Sequence, residues 1–173
     1  MGGSGNDDSP DVSGPASAGL PIELAFLTRH GLPPSRLTDV AEKARRNHTE
    51  PARETIAQGL IDESGFYRAL AAEMGLAFLA QPPPLKPGGG HDAILRQGIA
   101  PTDGAARFRF ILAPEGPSLR RMLEAGPRDR HDIAVTTPRD FGDALRRSNA
   151  EGLAEHAAGL DPAGLERDSA RTG

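Results

Sequence analysis

Five histidines, His30, His48, His91, His131 and His156, are the side chains best suited to metal ligation or proton transfer near neutral pH. None stands in a His-Glu-x-x-His run or a close pair, so their spacing supplies no metal site. His131 and Asp132 are adjacent, but neighbours on a strand point to opposite faces, which makes them two separate residues rather than a dyad. Glu54, Asp62 and Glu63 are close enough in sequence to be weighed as paired acids. Asp62, however, stands where a helix N-cap is needed, and Glu63 complements the dipole of the same helix. Pro87-Gly88-Gly89-Gly90-His91 has the glycines of a phosphate cradle. It follows a proline-rich loop rather than a strand and has no lysine after the glycines, so it reads as a hinge. Lys43, Arg45 and Arg46 read as the wet face and C-terminal dipole complement of a helix. Arg107 and Arg109, with Arg120 and Arg121, form a candidate basic stripe. Phe108 and Phe110 are expected to point inward, away from it. Without an aromatic platform for bases, a protein-docking surface is the economical reading. There is no cysteine, which removes thiolate chemistry and disulfides. No catalytic residue, metal or cofactor is expected.

The composition agrees with a non-enzymatic reading. The chain of 173 residues carries a formal charge of −4, so it lacks the global basic footprint of a nucleic-acid binder. Aromatic residues make up 4% and tryptophan is absent, which leaves a lean core of alanine and leucine. Gly (21) and Pro (16) are abundant enough to predict long loops around an ordered centre. Phe110–Ala113 and Ala77–Ala80 are among the longest apolar runs, far short of a membrane span. The N-terminus has neither a basic start nor an apolar stretch, so no signal peptide and a cytoplasmic protein are expected.

Periodicity then sets the elements. Residues 1–19 carry almost no apolar bulk and are expected to be disordered. Pro21–Arg29 reads as a short helix stopped by Gly31. A second helix follows Pro33-Pro34, with Ser35 as N-cap and Leu37, Val40, Ala41 and Ala44 on its buried face. A short helix from Pro51, capped by Glu50 or Thr49, ends at Gly59. Asp62 caps a longer one in which Phe66, Leu70 and Met74 form a single stripe, stopped by Gly75. Leu76–Leu79 is a short strand. The two Gly-Leu turns, at Gly31-Leu32 and Gly59-Leu60, suggest a helical hairpin repeated with an offset of about 28 residues.

After Gln81–Gly90, a Pro/Gly linker or crossing loop, the pattern changes. Asp92–Gln97 is helical and Ile99–Pro101 an edge strand. Arg107–Ala113 alternates, with Phe108, Phe110 and Leu112 inward and Arg107 and Arg109 outward. Pro117–Leu123 is a helix with Leu119, Met122 and Leu123 inside. His131–Thr136 is a strand with Ile133 and Val135 inside. Thr137-Pro138 opens a last helix burying Phe141, Ala144, Leu145 and Ser148. The expected class is α+β: a helical-hairpin repeat over residues 20–80, a linker over 81–90, and a small α/β lobe with a short sheet over 91–150. The tail 151–173 is weakly ordered apart from helical character at Leu153–Leu160, and reads as cut short.

Gln58-Gly59-Leu60-Ile61, with Phe66, Leu70 and the exit Gly75-Leu76-Ala77-Phe78, resembles the N-terminal domain of type II secretion and type IV pilus assembly ATPases, the GspE/MshE N-terminal superfamily. The helix at Asp92–Gln97, the strand at Arg107–Ala113 and the Thr136-Thr137-Pro138-Arg139-Asp140 step into a helix follow the same order. The resemblance covers roughly Pro21–Ala150. The texture FYRALAAEMGLAFL is closest to the form found at the N-terminus of bacterial family 2 glycosyltransferases, membrane enzymes similar to polysaccharide synthases. It implies a regulatory or docking domain whose partner is another protein or a downstream catalytic domain. Neither the glycosyltransferase Asp-x-Asp nor the ATPase phosphate loop stands in this chain.

Some members of that family bind cyclic di-GMP through a repeated motif. The resemblance maps its turn positions onto Gly31 and Leu32 in one copy and Gly59 and Leu60 in the other, with Arg53 as the nearest cation. The Arg-Leu-Gly start of the motif falls on Glu50-Pro51-Ala52 and its closing Gln on Glu73. Carboxylates in place of donors repel an anionic ligand. The scaffold of the motif is therefore expected here without its ligand.

Overall fold

A computed structural model describes residues 19–86, 91–104, 106–127 and 130–158; the side chains of 91–93 and 155–158 lie outside the description. The chain is α+β. Among the described residues, seven α-helices and one 3-10 helix accompany a four-stranded mixed sheet. It divides into two units, one up to Ile61 and one from Asp62.

The first unit is helical. α1 (Ile22–Ala25) runs directly into a 3-10 turn, Phe26–His30, which ends at Gly31 in the left-handed region at φ 89°. α2 (Pro34–Asn47) and α3 (Pro51–Ala57) each begin with proline at the first position, where the missing N–H has no partner to lose. Ser35 therefore lies inside the first turn of α2, and Pro33 occupies the N-cap in extended geometry. Leu24, Phe26, Leu27, Leu37, Val40 and Ala44 form the buried faces. Gly31 and Gly59 end their helices with the same bond pair. Gly31 N–H donates to Thr28 O and Leu32 N–H to Leu27 O; Gly59 N–H donates to Ile56 O and Leu60 N–H to Thr55 O. Gly75 and Leu76 repeat the pattern onto Ala72 and Ala71. The shared geometry is that of a left-handed helix stop, which any such ending produces.

The second unit opens with α4 (Glu63–Met74). Its N-cap Asp62 accepts from the Gly65 N–H at 3.0 Å, and Gly75 stops it at φ 68°. Phe66, Leu70 and Met74 are buried as one stripe. β1 (Ala77–Phe78) follows at once and pairs in parallel with β4 (Ile133–Val135), which pairs in parallel with β3 (Phe110–Leu112). β2 (Ile99–Pro101) closes the order β1-β4-β3-β2 by antiparallel pairing with β3. Thr136, fully buried, donates its backbone N–H to Leu112 O and its hydroxyl to Leu79 O, locking the ends of three strands together. Residues 81–86 cross this unit in order. Leu85 is buried, its N–H donates to Ser148 Oγ, and it forms a bridge with Thr102.

α5 (His91–Gln97), α6 (Gly116–Ala125) and α7 (Pro138–Ala158) complete the unit. One sheet face is closed. Ala100, Ile111, Ala113 and Ala134 pack with Ile94 of α5, Phe141, Ala144 and Leu145 of α7, and Leu85. The inward register expected for β3 is thus corrected. Ile111, not Phe110 or Leu112, enters this core, because helices stand against the sheet on both sides and both parities find apolar neighbours. Met122 and Ile133, also expected inside, are only half-buried. α7 runs on to Ala158 without a break after residue 150.

Candidate functional site

The five positions suggested for a ligand turn all lie in the first unit. Gly31 and Gly59 are exposed at the two helix stops, with Leu32 and Leu60 half-buried behind them. Arg53 is exposed in the first turn of α3, and Gly59 lies beyond its far end, about 10 Å along a seven-residue helix. The positions are split between two turns and one helix start. Glu50 stands exposed at the N-cap of α3, without a side-chain capping bond.

Two acids of this unit are buried, Glu23 and Glu54, and the second has the fuller set of partners. Glu54 accepts from Gln58 Nε2 at 2.6 Å and from Thr49 Oγ1 at 3.0 Å, with Lys43 Nζ at 4.0 Å. The Gln58 bond first, then the Thr49 bond and the Lys43 charge, hold its carboxyl below the ordinary glutamate value. The arrangement ties α2, the α2–α3 link and α3 into one knot. It consumes the acid rather than presenting it.

A second group of acids gathers between the starts of α4 and α7. Asp62, Glu63, Asp140 and Asp143 line a recess of about 370 Å³ with Ser64, Thr137 and Arg139. Each helix start is already satisfied. Asp62 caps α4, while the Thr137 hydroxyl accepts the Asp140 N–H at 3.0 Å and donates to Asp140 Oδ2 at 2.9 Å. Asp143 pairs with Arg146. Burial, then the Asp140 and Glu115 charges, raise the Glu63 carboxyl above its ordinary value. Among the described residues, no group of three or more His, Asp or Glu side chains is placed to hold a metal. Asp132 binds Arg130 at 3.2 Å, and that bond holds its carboxyl low. The phosphate cradle considered at Pro87–His91 lies outside the described residues, except for the backbone of His91.

The largely apolar recess lies on the second face of the sheet. A groove of about 530 Å³ has Ile99, Phe110, Leu112 and Ile133 of three strands as its floor, Met74 and Leu76 at one side, and Ser118, Met122 and Ala125 of α6 at the other. The α6 residues recur at i, i+4 and i+7, a single helical stripe. Ile99 is 47% exposed, unusual for a strand isoleucine. Arg121 and Arg130 are the charged side chains lining the groove, and the Arg109 guanidinium lies 5.9 Å over the Phe110 ring. Of the four arginines considered as a stripe, Arg109 and Arg121 are thus brought to the groove. Arg107 stacks instead over Phe108, at 5.4 Å. Arg130, Met74 and Leu76 were not singled out from the sequence as site residues. The parity of Phe110, Leu112 and Ile133, opposite to that of Ile111 and Ala134, is the sequence signal that marks the floor.

No protein-family model matches the chain, and no curated protein is significantly similar to it. No helix of the described residues is long and apolar enough to cross a membrane.

Proposed function

We propose that the chain is a non-catalytic docking domain, acting as the N-terminal regulatory part of a membrane family 2 glycosyltransferase. The observation that carries the docking reading is the open groove, an apolar sheet face with arginines at its rim. Assignment to a glycosyltransferase rests on the Gln58–Ile61 turn, the Phe66/Leu70 stripe and the Gly75–Phe78 exit. Reading the gene beyond the codon for Gly173, and its immediate neighbours, tests that assignment. A glycosyltransferase with an Asp-x-Asp and membrane helices is expected; a phosphate-loop ATPase there overturns it. The second family reading, a cyclic di-GMP-sensing or assembly domain of a secretion or pilus ATPase, has Glu50 and Glu73 against it at ligand-contacting positions. Calorimetry with cyclic di-GMP is expected to give no saturable heat up to about 1 mM, the range of the weakest specific affinities.

A further inference from the structure

Each strand of a sheet occupies about 4.8 Å, so four strands make a face roughly 19 Å wide. A helix with its side chains is about 10 Å across, so a face of this width takes two helices. α5 and α7 supply both on the closed face, packing on the Ala100, Ile111 and Ala134 side. On the other face α4 packs over β1 and β4. The β3–β2 half beside α6 holds the groove instead, with Phe110, Leu112 and Ile99 as floor. α6 lines the same face, and the groove runs between its Ser118, Met122 and Ala125 stripe and Met74 and Leu76.

The charges there are one-sided. Among the described residues lining the groove the charged side chains are Arg121 and Arg130; Arg109 stands over Phe110, and Asp132 binds Arg130. The described lining carries guanidiniums and no carboxylate, in a chain whose formal charge is −4. Addition of a strand is disfavoured. The outer edge of β2 is already taken where Lys86 N–H donates to Pro101 O and Leu85 bridges Thr102, and Pro101 has no N–H to offer. A small ligand is also disfavoured, since such sites bury most of their ligand's surface and this groove is open along one side.

We infer that the groove receives an amphipathic helix of a protein partner, laid beside α6 over β3 and β2, with its apolar stripe on Phe110, Leu112 and Met122 and carboxylates on its flanks against Arg109, Arg121 and Arg130. The inference rests on the docking reading and names the partner's chemistry. Met74 and Met122 suit such a surface because unbranched thioethers repack around different apolar side chains. The flanking ion pairs govern association rate and discrimination more than total affinity.

The test uses the full chain and two fluorescein-labelled helical peptides of about 18 residues, five turns, with the same leucine stripe. One is flanked by glutamates and the other by lysines. The glutamate peptide is expected to bind saturably, about tenfold more tightly than the lysine peptide, a discrimination that fades as salt shortens the screening length. Arg121→Glu is expected to reverse the preference. Arg121→Gln is expected to reduce it, and Arg107→Glu, away from the groove, to leave it unchanged. Backbone NMR shifts on titration should centre on Leu112, Met122 and Ile133. Equal binding of the two peptides overturns the inference, as does no saturation up to about 1 mM. Concentration-dependent self-association through the same residues, or binding to anionic vesicles instead, also overturns it. A glycosyltransferase found in the gene beside a groove that binds neither peptide would leave the docking reading standing and this inference refuted.

Discussion

Glu54 shows how a carboxylate that could be read as chemistry is used up by structure. Its oxygens accept from Gln58 and Thr49 and lie near Lys43, so the ionised form is favoured in the folded chain. A depressed folded pKa gives stability that is present above the ordinary value near 4.5 and is lost as pH falls through the folded value. Glu54→Gln should therefore lower the urea midpoint at pH 7, and the difference from the parent should shrink on acidification. Glu63 has the opposite sign. Its raised carboxyl disfavours the fold once pH climbs above its ordinary value near 4.5, so Glu63→Gln should raise the midpoint at pH 7 and change little in acid. Tyr67 is 3% exposed, and its hydroxyl donates to Pro114 O at 2.8 Å. Tyr67→Phe leaves that carbonyl unsatisfied and should cost about 1–3 kcal/mol in chemical denaturation. The Asp62 cap was legible from sequence because its bond spans three residues. The Tyr67–Pro114 bond spans 47 residues and was not, since no local pattern encodes which carbonyl a buried phenol will meet.

Helices and strands were legible in proportion to their periodicity. The stripe Phe66, Leu70, Met74 and the face Phe141, Ala144, Leu145, Ser148 are buried as their spacing predicts. β3 was located, but its inward face was assigned to the wrong parity. Alternation shows that two faces differ, and it cannot choose between them when helices flank the sheet on both sides. Arg109 carried the misreading of Phe110, because its long side chain reaches back over that ring, whereas Phe108 packs against the closed-face core as expected. Gly98, joining α5 to β2, was not singled out at all. It holds φ at 62°, and a Cβ there would stand 2.4 Å from the Ala113 carbonyl oxygen, while its own carbonyl accepts the Ala113 N–H at 2.8 Å. Gly98→Ala must break that ladder bond or bend the strand, and should lower stability by about 2–4 kcal/mol, combining strain and overpacking. Asp62→Ala, which only removes a cap, should cost about 1 kcal/mol. A thermal melt of the pair orders them: a Gly98→Ala variant as stable as Asp62→Ala contradicts the close approach.

Taken as one chain, the protein is acidic, yet three of its arginines gather at the apolar groove beside α6. No composition argument reveals this. Net charge averages over the surface, whereas docking depends on which few side chains the topology brings together. Arg130 joins Arg121 and Arg109 only because β4 returns beside β3 after α6. The most direct test of the docking account places a photo-reactive phenylalanine analogue at Met122 in the full chain, in its native cells, with a second at Arg107 as control. The account predicts a cross-link from position 122 alone, mapping by peptide sequencing to a partner helix whose apolar stripe is flanked by carboxylates. Cross-links of equal yield from both positions, or a link from 122 that maps to a second copy of this chain or to a basic segment, would contradict it.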